Sequence, residues 1–319
     1  MKRIGVLTSG GDSPGMNAAI RSVTRYAVYK GIEVMGIYNG FEGLIKSDFA
    51  RFTHRSVSNI ISRGGTILKT ARCKEFTTTE GRSKAKDSLE KHGIDGLVVI
   101  GGNGSYRGAH IFGNEFKIPC IGVPATIDND IEETDATIGS DTAVNTALHA
   151  IDNIRDTATS LERIFIVEVM GRESGFIAKQ VGLGGGAEDI IIPEMNYDLE
   201  MMCEDINKGH NRGKISWIII VAEGAAKSRK IAKEITKKTG FNVRLVVLGH
   251  IQRGGSPTAF DRILATRLGA AAVSLLADGQ ADKAVGIKAD KINVVDFKVA
   301  IQEKKEADIE LYKLLRILT

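Results

Sequence analysis

Short apolar runs alternate with longer amphipathic stretches along most of the chain, and this alternation predicts strands and helices in turn. Apolar runs of strand length occupy residues 3–8, 32–38, 94–100, 119–123, 164–169, 217–222 and 243–248. Helical spacing covers residues 18–30, 84–92, 141–158 and 227–238, and a further helix is expected from Tyr106. Continuously apolar strands are typical of parallel sheets that are covered on both faces, so the pattern predicts an α/β protein. Because the second half repeats this order, we expect two α/β lobes with the active site in the cleft between them.

Two glycine-rich turns follow predicted strands. Residues 9–17 have the sequence SGGDSPGMN, and residues 101–105 have the sequence GGNGS. A turn that leads from a strand into a helix points free backbone N–H groups outward, where they can bind an anion. The first turn matches neither the P-loop nor the dinucleotide-binding pattern. Both turns therefore predict a phosphate cradle, with a tight turn and ordinary helix capping as the alternative.

A third turn, residues 124–130 with the sequence PATIDND, follows the apolar run 119–123. Residues just beyond the carboxyl end of a parallel strand are the ones that meet ligands in doubly wound sheets. Asp128 and Asp130 lie two residues apart there, so one can accept a proton while the other orients a metal or a neighbouring side chain. The alternative is a solvated turn, since Asp and Asn form turns for local hydrogen-bonding reasons.

The composition narrows the function classes. With 319 residues, of which 43% are hydrophobic, the chain can form about two domains. The net charge of +4 comes without a basic stripe that is interleaved with aromatic residues, so no nucleic-acid partner is expected. No apolar run approaches the roughly 18 residues of a membrane span, and no membrane association is expected. The three cysteines lack metal-ligand spacing and suit a cytoplasmic protein.

Charged residues near other glycines and strand ends extend the predicted site. Arg63 and Arg72 stand in irregular segments, where contact with phosphate is favoured over simple solubility. In the second half, Arg172, Glu223 and His250 follow predicted strands. A structural histidine and a surface carboxylate are the alternatives for His250 and Glu223.

Five motifs in one order resemble the bacterial ATP-dependent 6-phosphofructokinases. They are LTSGGDSPGMN at 7–17, GxGS at 102–105, PxTIDND at 124–130, MGR at 170–172 and GHIQRGGSP at 249–257. The resemblance covers residues 1 to about 290. It implies two similar three-layer α/β lobes with largely parallel sheets. An ATP-binding lobe would comprise residues 1–138 with about 252–305, and a fructose 6-phosphate-binding lobe would comprise 139–251 with about 306–319.

The resemblance also implies transfer of a phosphoryl group from ATP to the 1-hydroxyl of fructose 6-phosphate in glycolysis. Asp128 would be the base, Thr126 would lie near the transferring group, Arg172 would stabilise its charge and Asp130 would be associated with Mg²⁺. Residues that match the ATP-binding positions are Gly11, Arg72, Cys73, Gly102, Asn103, Gly104 and Ser105. Residues that match the substrate-binding positions are Thr126, Asp128, Met170, Gly171, Arg172, Glu223, His250 and Arg253, with Arg163 and Arg244 reaching in from a neighbouring subunit.

A homotetramer with an allosteric effector site for ADP or phosphoenolpyruvate follows from the same resemblance. Residues that match the effector positions are Arg21, Arg25, Arg55, Arg155, Glu188, Arg212 and Lys214. His54 stands where the related proteins commonly have an arginine. This difference leaves the identity and the sign of the effector response open.

One departure from the resemblance concerns the metal. Asn103 occupies a position where the related proteins carry a magnesium-associated aspartate, and Mg²⁺ prefers anionic oxygen ligands. The sequence is therefore compatible with a working kinase of altered metal use, or with a weakened paralogue that acts as a binding or regulatory subunit. A pyrophosphate-dependent enzyme is a further alternative, although such members typically carry Asp at the position of Gly104 and Lys at that of Ala125. A dinucleotide oxidoreductase is excluded because a GxGxxG turn with a downstream acid is missing.

Overall fold

The structure, a computed structural model, describes residues 1–302 and 309–318, and these form two compact units. Unit 1 comprises Met1–Thr142 and the described residues from 253 to 302. Unit 2 comprises Ala143–Gln252 and the described residues 309–318. No helix among the described residues is long and apolar enough to span a bilayer.

Strands and helices alternate through most of the chain. The strands are β1 (Arg3–Ser9), β2 (Glu33–Ile37), β3 (Phe49–Phe52), β4 (Gly96–Gly101), β5 (Cys120–Pro124), β6 (Ile164–Val169), β7 (Asp189–Ile191), β8 (Trp217–Ala222), β9 (Val243–Val247), β10 (Lys283–Lys288) and β11 (Lys291–Asp296). The α-helices are α1 (Met16–Tyr29), α2 (Gly40–Lys46), α3 (Thr79–Lys91), α4 (Asn103–Phe116), α5 (Ser140–Leu161), α6 (Phe176–Gly184), α7 (Leu199–Asn211), α8 (Ser228–Thr239), α9 (Ala259–Ala277), α10 (Phe297–Ala300) and α11 (Ile309–Leu318).

Unit 1 is built on one sheet with the strand order β11-β10-β5-β4-β1-β2-β3. The five inner strands are parallel, and the two edge strands, β3 and β11, pair antiparallel with their neighbours. One face carries an apolar cluster formed with α1 and α9, and the other carries a cluster formed with α2, α3, α4 and α10. The central strand β4 is buried along its whole length. These three layers hold the carboxyl ends of the inner strands in fixed register.

Unit 2 is built on a smaller sheet of four parallel strands in the order β7-β8-β6-β9. The apolar cluster on one face is formed with α7 and α8. Helix α6 packs against β8, and α11 packs against α6. The prediction of an α/β protein with two lobes and largely parallel sheets is confirmed.

Some element boundaries differ from the predictions. Helix α4 begins at Asn103 rather than at Tyr106, because Gly102 has an extended backbone and acts as the N-cap residue. Consequently Asn103, Gly104 and Ser105 belong to the first helical turn instead of a preceding loop. The pattern also missed β3, β7, β10 and β11.

Candidate active site

Three turns lie side by side at one edge of the unit 1 sheet. The register pairs Ser9 of β1 with Gly101 of β4, and Gly101 with Pro124 of β5. All three strands run parallel, so the segments that follow them emerge at the same edge. These segments are the two glycine-rich turns and the carboxylate turn that the sequence singled out. The structure therefore brings together three features that are far apart in the chain.

The turn after β1 is held by side chains from elsewhere in unit 1. The hydroxyl of Thr70 donates a 2.7 Å hydrogen bond to the carbonyl of Gly10. Nη1 of Arg253 donates a 3.0 Å hydrogen bond to the carbonyl of Asp12. Gly10 has a φ of 89°, a backbone conformation that favours glycine, and Ser105 lies close to it. The substrate binding that was predicted for Arg253 stays a prediction, and in the structure its guanidinium fixes the first turn.

The turn after β4 passes directly into α4. The first backbone N–H groups of a helix have no partner within the helix, and the helix dipole adds positive potential at that end. Apart from its chain neighbours and the backbone of its own helix, a Cβ at Gly104 would meet no described residue within 4 Å, so space is open beside this helix start. Ser105 is buried and lies near the end of β1, whereas Gly104 is exposed. This geometry can bind an anionic group.

Asp128 is only 2% exposed, which rules out the solvated-turn interpretation. Its backbone N–H donates to the hydroxyl of Thr126 at 3.2 Å, and the hydroxyl of Thr137 donates to the carbonyl of Thr126 at 2.6 Å. Asn129 adopts a left-handed backbone with a φ of 46°, and its amide donates to the carbonyl of Asp135 at 3.1 Å. The turn is thus a rigid, buried structure in which a carboxylate is held in place.

The side chain of Asn103 links the start of α4 to the carboxylate turn. Its Nδ2 lies 3.1 Å from the carbonyl oxygen of Asp130 and 3.1 Å from the carboxylate Oδ2 of the same residue. Its Oδ1 is buried and accepts no hydrogen bond from the described residues. Oxygen atoms from Asn103 and Asp130 are hard ligands of the kind that Mg²⁺ accepts. Among the described residues, no group of three or more His, Cys, Asp or Glu side chains is placed to hold a metal.

Asp261 supports the carboxylate turn from behind, and sequence reasoning missed it. It is fully buried, and it accepts hydrogen bonds from the backbone of Gly139 at 2.8 Å and from the backbone and hydroxyl of Thr142 at 2.8 and 2.5 Å. Burial raises the pKa of Asp261, although these hydrogen bonds act in the opposite direction. The segment it holds also contains Ile138, which forms a β-bridge with Ala125. The signal in the sequence was weak, because Asp261 lies inside an otherwise ordinary helix.

Arg72 and Cys73 lie in the irregular segment between β3 and α3. Arg72 is exposed, while Cys73 is half-buried and packs against the apolar cluster that contains Phe41 and Phe76. Their predicted contact with ATP stays a prediction.

In unit 2 a second group of predicted residues lies at the carboxyl ends of β6, β8 and β9. The backbone N–H of Arg172 lies 3.3 Å from Oε1 of Glu223, and the backbone of Arg172 is left-handed with a φ of 51°. A Cβ at Gly224 would overlap the carbonyl of Arg172, so glycine is required for this close approach. Arg172, Glu223 and His250 are exposed, whereas Met170 and Gly171 are buried.

Gln252 lies within the GHIQRGGSP motif, and no functional role was predicted for it. It is fully buried in the 3₁₀ turn Gly249–Arg253. Its Oε1 accepts from the backbone of Met170 at 3.4 Å, and its Nε2 donates to the carbonyl of Gly249 at 3.1 Å. It therefore ties the end of β6 to the turn that carries His250.

Arg163 and Arg244 lie at the opposite end of the same sheet. Arg163 immediately precedes β6, and Arg244 is the second residue of β9, where it is paired with Phe165. Met170 follows β6 at its other end, so at about 3.3 Å per residue the two ends are roughly 20 Å apart. Within unit 2, the two arginines are thus not grouped with the other predicted substrate-binding residues.

Two of the predicted effector residues line a cavity of about 180 Å³ in unit 2, and a third contacts its wall. Glu188 and Lys214 line it and form a 3.1 Å ion pair. Nη2 of Arg155 donates 2.6 Å hydrogen bonds to the carbonyls of Gly185 and Gly186, and Gly186 also lines the cavity.

The remaining predicted effector residues lie elsewhere. Arg212 is exposed just after α7. In unit 1, Arg55 is exposed and Arg21 and Arg25 lie one turn apart on α1, where burial and the neighbouring Arg25 lower the pKa of Arg21.

Known proteins resemble the chain over its full length. A family model described as Phosphofructokinase matches residues 3–276. The chain is 55% identical to the ATP-dependent 6-phosphofructokinase of Bacillus pumilus and 53% identical to that of Halothermothrix orenii, and each alignment covers 100% of both chains. The crystal structure of Pichia pastoris phosphofructokinase in the T-state is similar with a TM-score of 0.89 and 39% identity, over 94% of this chain and 37% of that one.

Proposed function

The chain belongs to the phosphofructokinase family, and from this membership we propose that it transfers a phosphoryl group from ATP to the 1-hydroxyl of fructose 6-phosphate. The products are fructose 1,6-bisphosphate and ADP, and the reaction belongs to glycolysis in the cytoplasm. One observation carries the proposal: two glycine-rich turns and the turn of Asp128 emerge at neighbouring strand ends of one sheet. Such an arrangement offers backbone N–H groups for phosphate next to a carboxylate for proton transfer.

ATP binding is assigned to unit 1. Space is open beside Gly104 in the first turn of α4, and the positive end of the helix dipole lies there, which leaves room for a nucleotide phosphate. Gly11, Gly102 and Ser105 complete the cradle, and Arg72 and Cys73 extend it. These assignments rest on the resemblance together with the positions of the turns.

Asp128 is the proposed base. A phosphoryl-transfer enzyme works mainly by positioning the reactants and stabilising charge, so it needs little covalent chemistry of its own. The carboxylate of Asp128 takes the proton of the attacking hydroxyl, and Thr126, whose own backbone is fixed by Thr137, lies beside it. Arg172 supplies positive charge to the transferred group. Met170, Gly171, Glu223, His250 and Arg253 bind the sugar phosphate.

Asn103 and Asp130 are the residues that would hold Mg²⁺. The buried Oδ1 of Asn103 and the carboxylate of Asp130 offer oxygen ligands, and kinases commonly complete such sites with substrate phosphates. What the metal supplies when bound is neutralisation of the phosphate charge.

Arg163 and Arg244 support a homotetramer with shared sites. Because they lie at the opposite end of the unit 2 sheet from Met170 and Arg172, one subunit does not group them with its own substrate-binding residues. A neighbouring subunit can supply them instead, as the resemblance implies.

The cavity beside Glu188 and Lys214 is proposed to form part of an allosteric site for ADP or phosphoenolpyruvate. The further proposed ligands of this effector are Arg21, Arg25, Arg55, Arg155 and Arg212.

Two observations favour ATP over pyrophosphate as the donor. Position 104 is a glycine that borders open space, whereas pyrophosphate-dependent members typically carry Asp there. Position 125 is an alanine that is buried at 1% exposure, whereas those members typically carry Lys. The placement of Asp128 in a rigid turn favours a working kinase over a weakened regulatory paralogue.

A coupled assay with fructose 6-phosphate tests the proposal. Formation of fructose 1,6-bisphosphate is measured with ATP or pyrophosphate as donor, at varied MgCl₂ or MnCl₂. Turnover with ATP and a divalent cation is the expected result. Turnover with pyrophosphate but not with ATP would show that pyrophosphate is the phosphoryl donor. No turnover with either donor would favour the regulatory paralogue.

A further inference from the structure

Asn103 bridges two elements that are 27 residues apart in sequence. It is the first residue of α4, and Asp130 lies in the turn after β5. The amide nitrogen of Asn103 contacts two acceptors of the same residue, the carbonyl oxygen and the carboxylate Oδ2 of Asp130, each at 3.1 Å. One NH₂ group thus fixes both the backbone and the side chain of Asp130.

The contact is specific for an amide. A primary amide carries two N–H donors, which match two acceptors, whereas a hydroxyl carries only one. An ionised carboxylate at position 103 would place an acceptor oxygen against the carbonyl oxygen and Oδ2 of Asp130, which are themselves acceptors. Two carboxylates this close also repel each other. The Oδ1 of Asn103 gains nothing in compensation, because it is buried and accepts no hydrogen bond from the part of the chain that the structure describes. A buried polar atom without a partner is costly, so the donated bonds account for the orientation of this side chain.

We propose that Asn103 is a positioning residue, whose amide holds Asp130 and the carboxylate turn in place when no divalent cation is bound. A site of this kind keeps its carboxylate ordered before the metal and the nucleotide arrive. The functional value of that order rests on the proposed function. The contact between Asn103 and Asp130 does not depend on the proposed function, and neither does its test, because the test uses neither ATP nor fructose 6-phosphate.

The experiment is thermal unfolding of the full chain in EDTA and in excess MgCl₂, at matched ionic strength. The variants are Asn103→Ala, which removes the donors without adding charge, and Asn103→Asp, which replaces them with a carboxylate. The double variant Asn103→Asp/Asp130→Asn removes the facing pair of carboxylates and restores an amide donor on the other side. The parent chain gives the reference shift on adding MgCl₂.

We expect Asn103→Ala to lower Tm by roughly 2–6 °C in both buffers, as the loss of two modest hydrogen bonds implies. In EDTA, Asn103→Asp should lower Tm by roughly 2–6 °C more than Asn103→Ala does. Adding MgCl₂ should reverse at least half of this additional decrease in Tm. The double variant should lose this sensitivity to MgCl₂. A role in packing alone would give the same loss in EDTA and in MgCl₂, so the cation dependence separates the two.

The inference is overturned if Asn103→Asp and Asn103→Ala lower Tm by the same amount in EDTA and if MgCl₂ raises the Tm of neither variant more than it raises that of the parent. If Asn103→Asp does not accumulate as folded protein, a double-mutant cycle of Asn103→Ala and Asp130→Ala replaces it. Additive shifts in Tm would then contradict the contact, and a smaller loss in the double variant than the sum of the two would support it. Failure of the proposed kinase activity would affect neither comparison.

Discussion

Nη1 of Arg253 lies 2.5 Å from the position that a Cβ on Gly11 would occupy. The same nitrogen donates a hydrogen bond to the carbonyl of Asp12, so the guanidinium lies directly against the first glycine-rich turn. Gly11 belongs to the proposed ATP site and Arg253 to the proposed fructose 6-phosphate site. Within unit 1, this contact therefore links one residue that we assign to each substrate.

We predict that Gly11→Ala raises KM for both substrates. The new methyl group must displace the guanidinium of Arg253, and the fold should tolerate this because the guanidinium is the far end of a flexible side chain. Steady-state kinetics with each substrate varied in turn measures the effect. Gly104→Ala is the matched control, since its methyl group would meet no described residue within 4 Å apart from its chain neighbours and the backbone of its own helix. It should change KM for ATP alone, and an unchanged fructose 6-phosphate KM in Gly11→Ala would contradict the coupling.

Replacement of the proposed base should reduce turnover while leaving binding nearly intact. We expect Asp128→Ser to lower kcat by roughly two to four orders of magnitude, the usual contribution of a positioned base. Calorimetric binding of ATP and of fructose 6-phosphate should stay close to that of the parent. Glu132→Gln, which removes a charge in the same region, serves as the control and should retain most of its turnover. A kcat within threefold of the parent for Asp128→Ser would show that another group takes the proton.

The sequence pattern predicted the inner part of each sheet well. The runs that became β1, β4, β5, β6 and β8 are buried almost throughout, and a continuous apolar run is the signal of such strands. The strands it missed are short or lie near a sheet edge. β11 alternates exposed and half-buried residues, and β7 has only three residues, so neither presents a continuous apolar run.

The candidate site was predictable in its residues more than in their contacts. Motif spacing singled out the turn of Asp128, but the support that this turn receives from Asp261 comes from far along the chain. Likewise, Asn103 stood out in the sequence as a lost charge, whereas the structure reveals the hydrogen bonds that its amide gains with Asp130. Such contacts depend on which strand ends the sheet topology brings together, and the local pattern of hydrophobic and polar residues does not determine that topology.

Asp261 should give the protein a distinctive pH dependence of stability. Because burial raises its pKa above the ordinary value of 3.8, the folded state binds the proton more tightly than the unfolded chain does. The stability that Asp261 contributes is thus greatest below the ordinary pKa and is lost as pH rises through the raised one. Asp261→Asn removes this titration and replaces one acceptor oxygen with an NH₂ group, so the buried N–H of either Gly139 or Thr142 loses its acceptor, at a cost of about 1–3 kcal/mol.

The difference in Tm between parent and Asp261→Asn should therefore be widest at acidic pH and should narrow as pH rises. Differential scanning fluorimetry across the range in which both proteins stay folded measures it. Thr142→Val keeps the titrating carboxyl but removes a hydroxyl that donates to Asp261 and accepts from the backbone N–H of Thr258. This variant should therefore be less stable than the parent, and its stability should still fall as pH rises, because the bond that is lost acts to lower the pKa of Asp261. A difference that widens with rising pH would mean that the hydrogen bonds outweigh burial and that the pKa of Asp261 is lowered.

Arg163 and Arg244 offer a test of shared sites, because they lie together at one end of the unit 2 sheet. If a neighbouring subunit supplies both, mixing inactive Arg244→Ala chains with inactive Asp128→Ser chains should restore activity. In such hybrids, some sites combine an intact Asp128 from one chain with both intact arginines from the other. Denaturation and joint renaturation, followed by the coupled assay and a check of subunit exchange by mass, gives the measurement.

The matched control is a mixture of Arg244→Ala with Arg163→Ala chains. Every site in those hybrids receives both arginines from one donor chain, and that donor always lacks one of them, so no recovery is expected. Recovery in both mixtures would mean that the two arginines reach the substrate from different chains. Recovery in neither, after verified exchange, would mean that each site draws its arginines from the same chain as its base, and this result would contradict the sharing of sites between subunits.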